Sequence, residues 1–153
     1  MSFMTPPDAN VLSRFVGNKR KMIVVHGAAD PVFSVSDTIN WYEGFRSWYA
    51  KDTSDMVRLF VVPGMSHSRG GPATDQFDLV DALVNWVEKG TAPNAIIAKA
   101  RGKGVVAAEV VSPEVPASWA PGRTRPLCTY PEIAKYKGSG DVETASSFDC
   151  VVP

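Results

Sequence analysis

Two stretches decide the fold: Met22-Ile23-Val24-Val25-His26-Gly27-Ala28-Ala29-Asp30-Pro31 and Leu59-Phe60-Val61-Val62-Pro63-Gly64-Met65-Ser66-His67-Ser68-Arg69-Gly70-Gly71. Each is a short run apolar at every position, followed by a loop that contains glycine. Runs without in/out alternation suit parallel strands covered on both faces. Between them, Val35, Ile39, Tyr42, Phe45 and Tyr49 recur at helical spacing over residues 34–51, with Trp41 and Trp48 widening the stripe. A strand–helix–strand unit of this kind crosses over right-handed, so both strands end on the same edge of the sheet. That carboxyl edge is where open α/β sheets bind ligands. Asp30 and His67 therefore lie beyond the ends of neighbouring strands, where a carboxylate and an imidazole can meet.

Outward from this unit, residues 8–17 read as a short helix capped by Asp8 or Asn10, with Leu12, Phe15 and Val16 on one face. A second helix is expected from near Asp75, with Phe77, Val80, Leu83, Val84 and Val87 inward and Lys89-Gly90 as its stop. Beyond Pro93 the character changes. Ala95-Ile96-Ile97-Ala98 and residues 105–111 are short β candidates, expected to form a hairpin across Gly102-Lys103-Gly104. Residues 112–126 predict an irregular wrap, and Pro131 to Lys137 one or two helical turns. The expected fold class is α/β: parallel strands with crossover helices, then an irregular tail.

Composition narrows the function. The chain has 153 residues, and sixteen basic residues balance sixteen acidic ones, so no electrostatic footprint points to nucleic acid or an anionic membrane. No apolar run approaches the roughly 18 residues of a membrane-spanning helix. The N-terminal residues lack the basic region and apolar core of a signal peptide and read as a ragged start. Cys128 and Cys150 both fall in the last 26 residues. Two cysteines in a loop-rich tail suggest a disulfide and an oxidising compartment, with two unpaired thiols as the alternative.

A hydrolytic triad needs a nucleophile, an imidazole to take its proton, and a carboxylate that fixes the imidazole's tautomer. Asp30 and His67 suit the last two roles. Pro31 holds Asp30 out of the helical region, and the glycines around His67 let its loop curl over the sheet edge. His26, four residues before the acid, reads as a positioning or packing residue. A metal site from His26, Asp30 and His67 lacks any supporting ligand spacing. The order acid then base is that of α/β-hydrolases, but no G-x-S-x-G occurs, and only 29 residues precede Asp30. Ser66 and Ser68 flank His67 and cannot form a nucleophile elbow. The sequence thus reads as the C-terminal portion of a larger enzyme whose nucleophile is not in this chain.

The segments around Asp30 and His67, together with residues 82–90, Arg125-Pro126-Leu127-Cys128-Thr129-Tyr130-Pro131, Lys137-Gly138-Ser139-Gly140-Asp141 and Ser147-Phe148-Asp149-Cys150, resemble the C-terminal part of the tannase and feruloyl esterase family. The resemblance covers nearly everything from residue 8 onward, and the run from Arg125 with its Gly and Cys companions is its most specific part. It implies an α/β-hydrolase fold with a large lid inserted before the acid, and secreted or periplasmic serine esterases acting on small phenolic esters. It also implies Asp30 as catalytic acid, His67 as catalytic base, and a disulfide between Cys128 and Cys150 pinning the tail. On this reading residues 1–93 are the hydrolase units bearing acid and base, and residues 94–153 are short β segments and a wrapping tail of the same domain. The family's calcium site belongs to the lid, so neither metal nor cofactor is expected in this chain. One departure stands out: many members carry a cysteine directly after the histidine, bridged to one beside the nucleophilic serine, and here that position is Ser68. A non-catalytic module that binds a partner, or self-associates through an uncovered sheet edge, is the alternative.

Overall fold

The computed structural model describes residues 9–49, 53–101 and 115–153. Strand β1 (Met22–Gly27) lies parallel to β2 (Val57–Val62), in register from Met22↔Val57 to Gly27↔Val62. The two faces of β2 explain why its sequence does not alternate. Val57 and Leu59 pack with Tyr42 and Phe45 of helix α2 (Val35–Tyr49), whereas Phe60 and Val62 pack with Met65, Ile96, Ala98 and Leu127 on the other side. β1 divides the same way, Met22 and Val24 toward α2, Ile23 and Val25 away from it. Fully burying each large side chain here stabilises by roughly 1.5–3 kcal/mol before entropy is charged.

Within α2, Phe45 is the hub: Trp41 stacks on it at 6.1 Å, and Tyr49 and Phe15 lie at 5.0 and 6.5 Å. Trp48 is 63% exposed, so of the two tryptophans only Trp41 widens the buried stripe. The expected N-terminal helix is split into a 3-10 turn (Ala9–Leu12) and a five-residue helix α1 (Ser13–Gly17). No side-chain cap supports the latter; Leu12, Phe15 and Val16 hold it by packing on the aromatic cluster.

Helix α3 starts later than its pattern predicted. It runs Leu79–Lys89, capped by Asp78, whose carboxylate accepts from the amides of Val80 and Asp81, and it stops at the left-handed Gly90. Asp75 is not available as a cap because its carboxylate is bound to Arg101, and Gln76 bridges to Lys99 instead. The inward face is accordingly Leu79, Ala82 and the fully buried Trp86, over which lie the cations of Lys21 and Arg58. Val80, Val84 and Val87, expected inside, face outward.

The remaining strands form two antiparallel pairs. β3 (Ala95–Lys99) pairs with β4 (Thr124–Cys128), whose first three residues belong to the stretch expected to be an irregular wrap. The partner expected for β3, residues 105–111, lies outside the described residues, as does the turn at 102–104. β5 (Ile133–Tyr136) pairs with β6 (Phe148–Val151), in place of the helical turns expected after Pro131. Cys128 and Cys150 are joined in a disulfide, which ties β6 to β4. The tail is fastened to the parallel sheet where the Tyr130 amide donates to the Leu59 carbonyl at 2.8 Å and the Tyr130 ring meets Tyr42 edge-on.

Candidate active site

The site is built where β1 and β2 end. After Gly27 the chain is sewn to the neighbouring strand: the Ala28 amide donates to the Val62 carbonyl, and the Ala29 amide to the Met65 carbonyl. Gly27 is required there, because a Cβ would sit 2.3 Å from the Met65 carbonyl oxygen and 2.4 Å from that of Ser66. Only a residue without a side chain lets the loop that carries His67 pass so close. Asp30 then folds back on its own backbone. Its Oδ1 accepts from the amides of Val32 (2.8 Å) and Phe33 (3.1 Å), the turn that an Asp followed by Pro favours.

That turn leaves Oδ2 for His67, whose Nδ1 donates to it at 2.9 Å. The Asp30 side chain is 4% exposed and that of His67 45%. Burial alone would raise the Asp30 carboxyl. The hydrogen bonds from His67, Phe33 and Val32, with the charge of His67 when protonated, outweigh it and hold the group below its ordinary 3.8. An ionised carboxylate only accepts. The neutral imidazole of His67 must therefore carry its proton on Nδ1, which leaves the lone pair on Nε2. The Phe33 ring lies 5.3 Å from the imidazole. Both border a cavity of about 450 Å³ walled also by Val25, Met65, Phe77 and Leu79.

The His67 loop is clamped from behind by a buried ion pair that the sequence reading missed. Asp75 accepts from the Gly70 amide at 2.6 Å and binds Arg101 Nε at 3.1 Å, while Arg101 Nη2 donates to the Gly71 carbonyl at 2.8 Å. Both side chains are almost wholly buried. Their partnership spans 26 residues, and no local pattern announces it; the one hint is a pair of charged residues beside apolar runs. Thr38, whose hydroxyl lies 2.8 Å from His26 Nδ1, was missed for the same reason. His26 itself is the penultimate residue of β1, not part of the loop after it. Among the described residues, no group of three or more His, Cys, Asp or Glu is placed to hold a metal ion, and no helix is long and apolar enough to cross a membrane.

A buried carboxylate that sets the tautomer of a half-exposed imidazole, at the carboxyl edge of two parallel strands, is an arrangement for moving a proton to or from a bound hydroxyl. The chain belongs to the tannase and feruloyl esterase family, whose profile matches residues 3–151. It is 42% identical over 142 residues to a mono(2-hydroxyethyl) terephthalate hydrolase of Piscinibacter sakaiensis, covering 93% of this chain and 21% of that protein. It is 30% identical over 148 residues to a probable feruloyl esterase of Arthroderma benhamiae, covering 94% of this chain and 24% of the relative. Among solved structures, an esterase from Aspergillus oryzae superimposes with a TM-score of 0.73 at 24% identity, over 96% of this chain and 30% of that one, which shows a shared fold. The chain spans about a fifth to a quarter of the length of these two relatives.

Proposed function

We propose that this chain is the acid- and base-bearing C-terminal part of a serine carboxylic ester hydrolase of α/β-hydrolase fold, acting on esters of phenolic acids. The observation that carries the reading is the 2.9 Å bond from His67 Nδ1 to the buried carboxylate of Asp30. His67 Nε2 takes the proton of a serine hydroxyl as that serine attacks the ester carbonyl. The resulting imidazolium, stabilised by Asp30, returns the proton to the departing alcohol. The deacylation step repeats the sequence with water as the attacking group. The serine belongs to the remainder of the protein: the sequence offers no strand–serine–helix turn here, and the relatives are several times longer. Residues 94–153 serve as a wrapping tail of the same domain. The aromatic and aliphatic wall formed by Phe33, Met65, Phe77 and Leu79 suits a flat apolar acyl group beside the base. The Cys128–Cys150 disulfide supports a secreted or periplasmic enzyme.

The test is hydrolysis of methyl ferulate and methyl gallate by the full-length protein and by its His67→Ala variant. The reading expects release of the free acid by the former and its loss in the latter. Undiminished hydrolysis in His67→Ala would overturn the assignment of the base.

A further inference from the structure

Asp30 has a second imidazole beside it. His26 Nε2 lies 3.4 Å from the same Oδ2 that receives His67, and 3.2 Å from the Phe33 carbonyl oxygen. Its Nδ1 lies 2.8 Å from the Thr38 hydroxyl, and its side chain is 11% exposed. The proton on this ring can be placed without ambiguity. The Phe33 carbonyl and the Asp30 carboxylate are acceptors only, so the nitrogen facing both must carry the hydrogen. Nδ1 of the neutral ring then accepts, and Thr38 Oγ1 is the donor. Thr38 sits in the first turns of α2, and His26 in β1, so the helix and the strand hold this ring between them.

The turn that carries Asp30 is thereby braced from the strand side. Three hydrogen bonds hold the carboxylate, from the Val32 and Phe33 amides on Oδ1 and from His67 on Oδ2, while His26 Nε2, bonded to the Phe33 carbonyl, lies against Oδ2 at 3.4 Å. By holding the Phe33 carbonyl, His26 braces the turn whose amides bind Oδ1, and its N–H dipole lies beside Oδ2. Among the described residues the titratable groups around this arrangement are His26 from β1, His67 from the β2–α3 loop, and Asp37 of α2 on the cavity wall.

We propose that His26 is a positioning residue for the Asp30–His67 pair, and that Thr38 acts one step further back by holding the His26 ring in place. The catalytic consequence rests on the esterase reading above, but the geometry does not. The experiment therefore uses this chain itself, labelled with nitrogen-15 and carbon-13. Long-range proton–nitrogen spectra at alkaline pH read the His26 tautomer, and the Asp30 side-chain carboxyl carbon reads its titration. In the unaltered chain His26 is expected with its proton on Nε2. In His26→Phe and in Thr38→Val the Asp30 midpoint is expected to move up by about 0.5 pH unit, since the N–H dipole beside the charged form is lost or misdirected. His26→Gln, whose amide nitrogen reaches about as far as Nε2, is expected to restore it, which a purely space-filling role for His26 would not do.

A His26 proton on Nδ1 in the unaltered chain overturns the proposal without any substitution, so it stays testable even if His26→Phe fails to fold. Asp30 midpoints in Thr38→Val and His26→Phe that coincide with the unaltered chain overturn it as well. These readouts separate the two ideas: a shifted midpoint in a protein that cleaves no ester removes the esterase reading alone, and an unshifted one in an active enzyme removes only the role of His26.

Discussion

Asn at position 30 keeps the shape of Asp and reverses the polarity of one end of the group. Its amide would donate to His67 Nδ1, drive the imidazole proton to Nε2, and leave no base facing the substrate. Asp30→Asn in the full-length enzyme is therefore expected to lose about 10⁴-fold in kcat with little change in KM, as measured by steady-state ester hydrolysis. Stability should respond to pH through the same residue. Its folded pKa lies below the ordinary 3.8, so the unfolded chain binds a proton first as pH falls. The stabilisation from Asp30 is thus complete above the ordinary carboxylate range and lost as pH drops through its folded value. Thermal unfolding below pH 3.8 should depend less steeply on pH in Asp30→Asn than in the unaltered chain. These residues could be read from sequence because a strand end, a proline and a glycine-rich loop each mark a position locally. His26 was only half legible: its place beside the acid was plain, its bonds to Phe33 and Thr38 were not.

Elements set how closely these side chains are held. Gly27→Ala would push a methyl group into the Met65 and Ser66 carbonyls. Overpacking of this kind costs about 1–3 kcal/mol, and urea denaturation should show it. The same variant should lose activity beyond what its stability explains, since the atoms displaced belong to the His67 loop. Arg101→Met leaves the Asp75 carboxylate buried without its cation. The expected destabilisation is about 3–5 kcal/mol, and the double variant Asp75→Leu/Arg101→Met should recover only part of it, since the buried Gly70 amide then loses its carboxylate acceptor. Both parallel strands and the crossover helix were legible because apolar runs and helical spacing are properties of short windows. The start of α3 was misread because the competition for Asp75 is decided by Arg101, which is distant in sequence. The β5–β6 pair was misread because a short strand with few β-branched residues, Ile133–Tyr136, takes its shape from its partner rather than from its own propensity.

At the scale of the whole molecule, the tail is a strap. β4 reaches β2 through the Thr129 bridge, and the disulfide carries β6 along with it. Breaking that link with Cys128→Ser/Cys150→Ser should lower stability by roughly 3 kcal/mol, given the 22-residue separation, and leave the Asp30–His67 bond in place. The outward valines of α3, at positions 80, 84 and 87, are the converse case: their spacing predicted an inner face, yet the buried Trp86 and the Asp78 cap turn the helix so that they face away. The claim on which the account stands is that the proton-handling pair is already formed in this chain, whatever supplies the nucleophile. The long-range proton–nitrogen spectrum of His67 at alkaline pH measures it directly. The account predicts the proton on Nδ1 in the unaltered chain and on Nε2 in Asp30→Asn. A His67 that carries its proton mainly on Nε2 in the unaltered chain would contradict it.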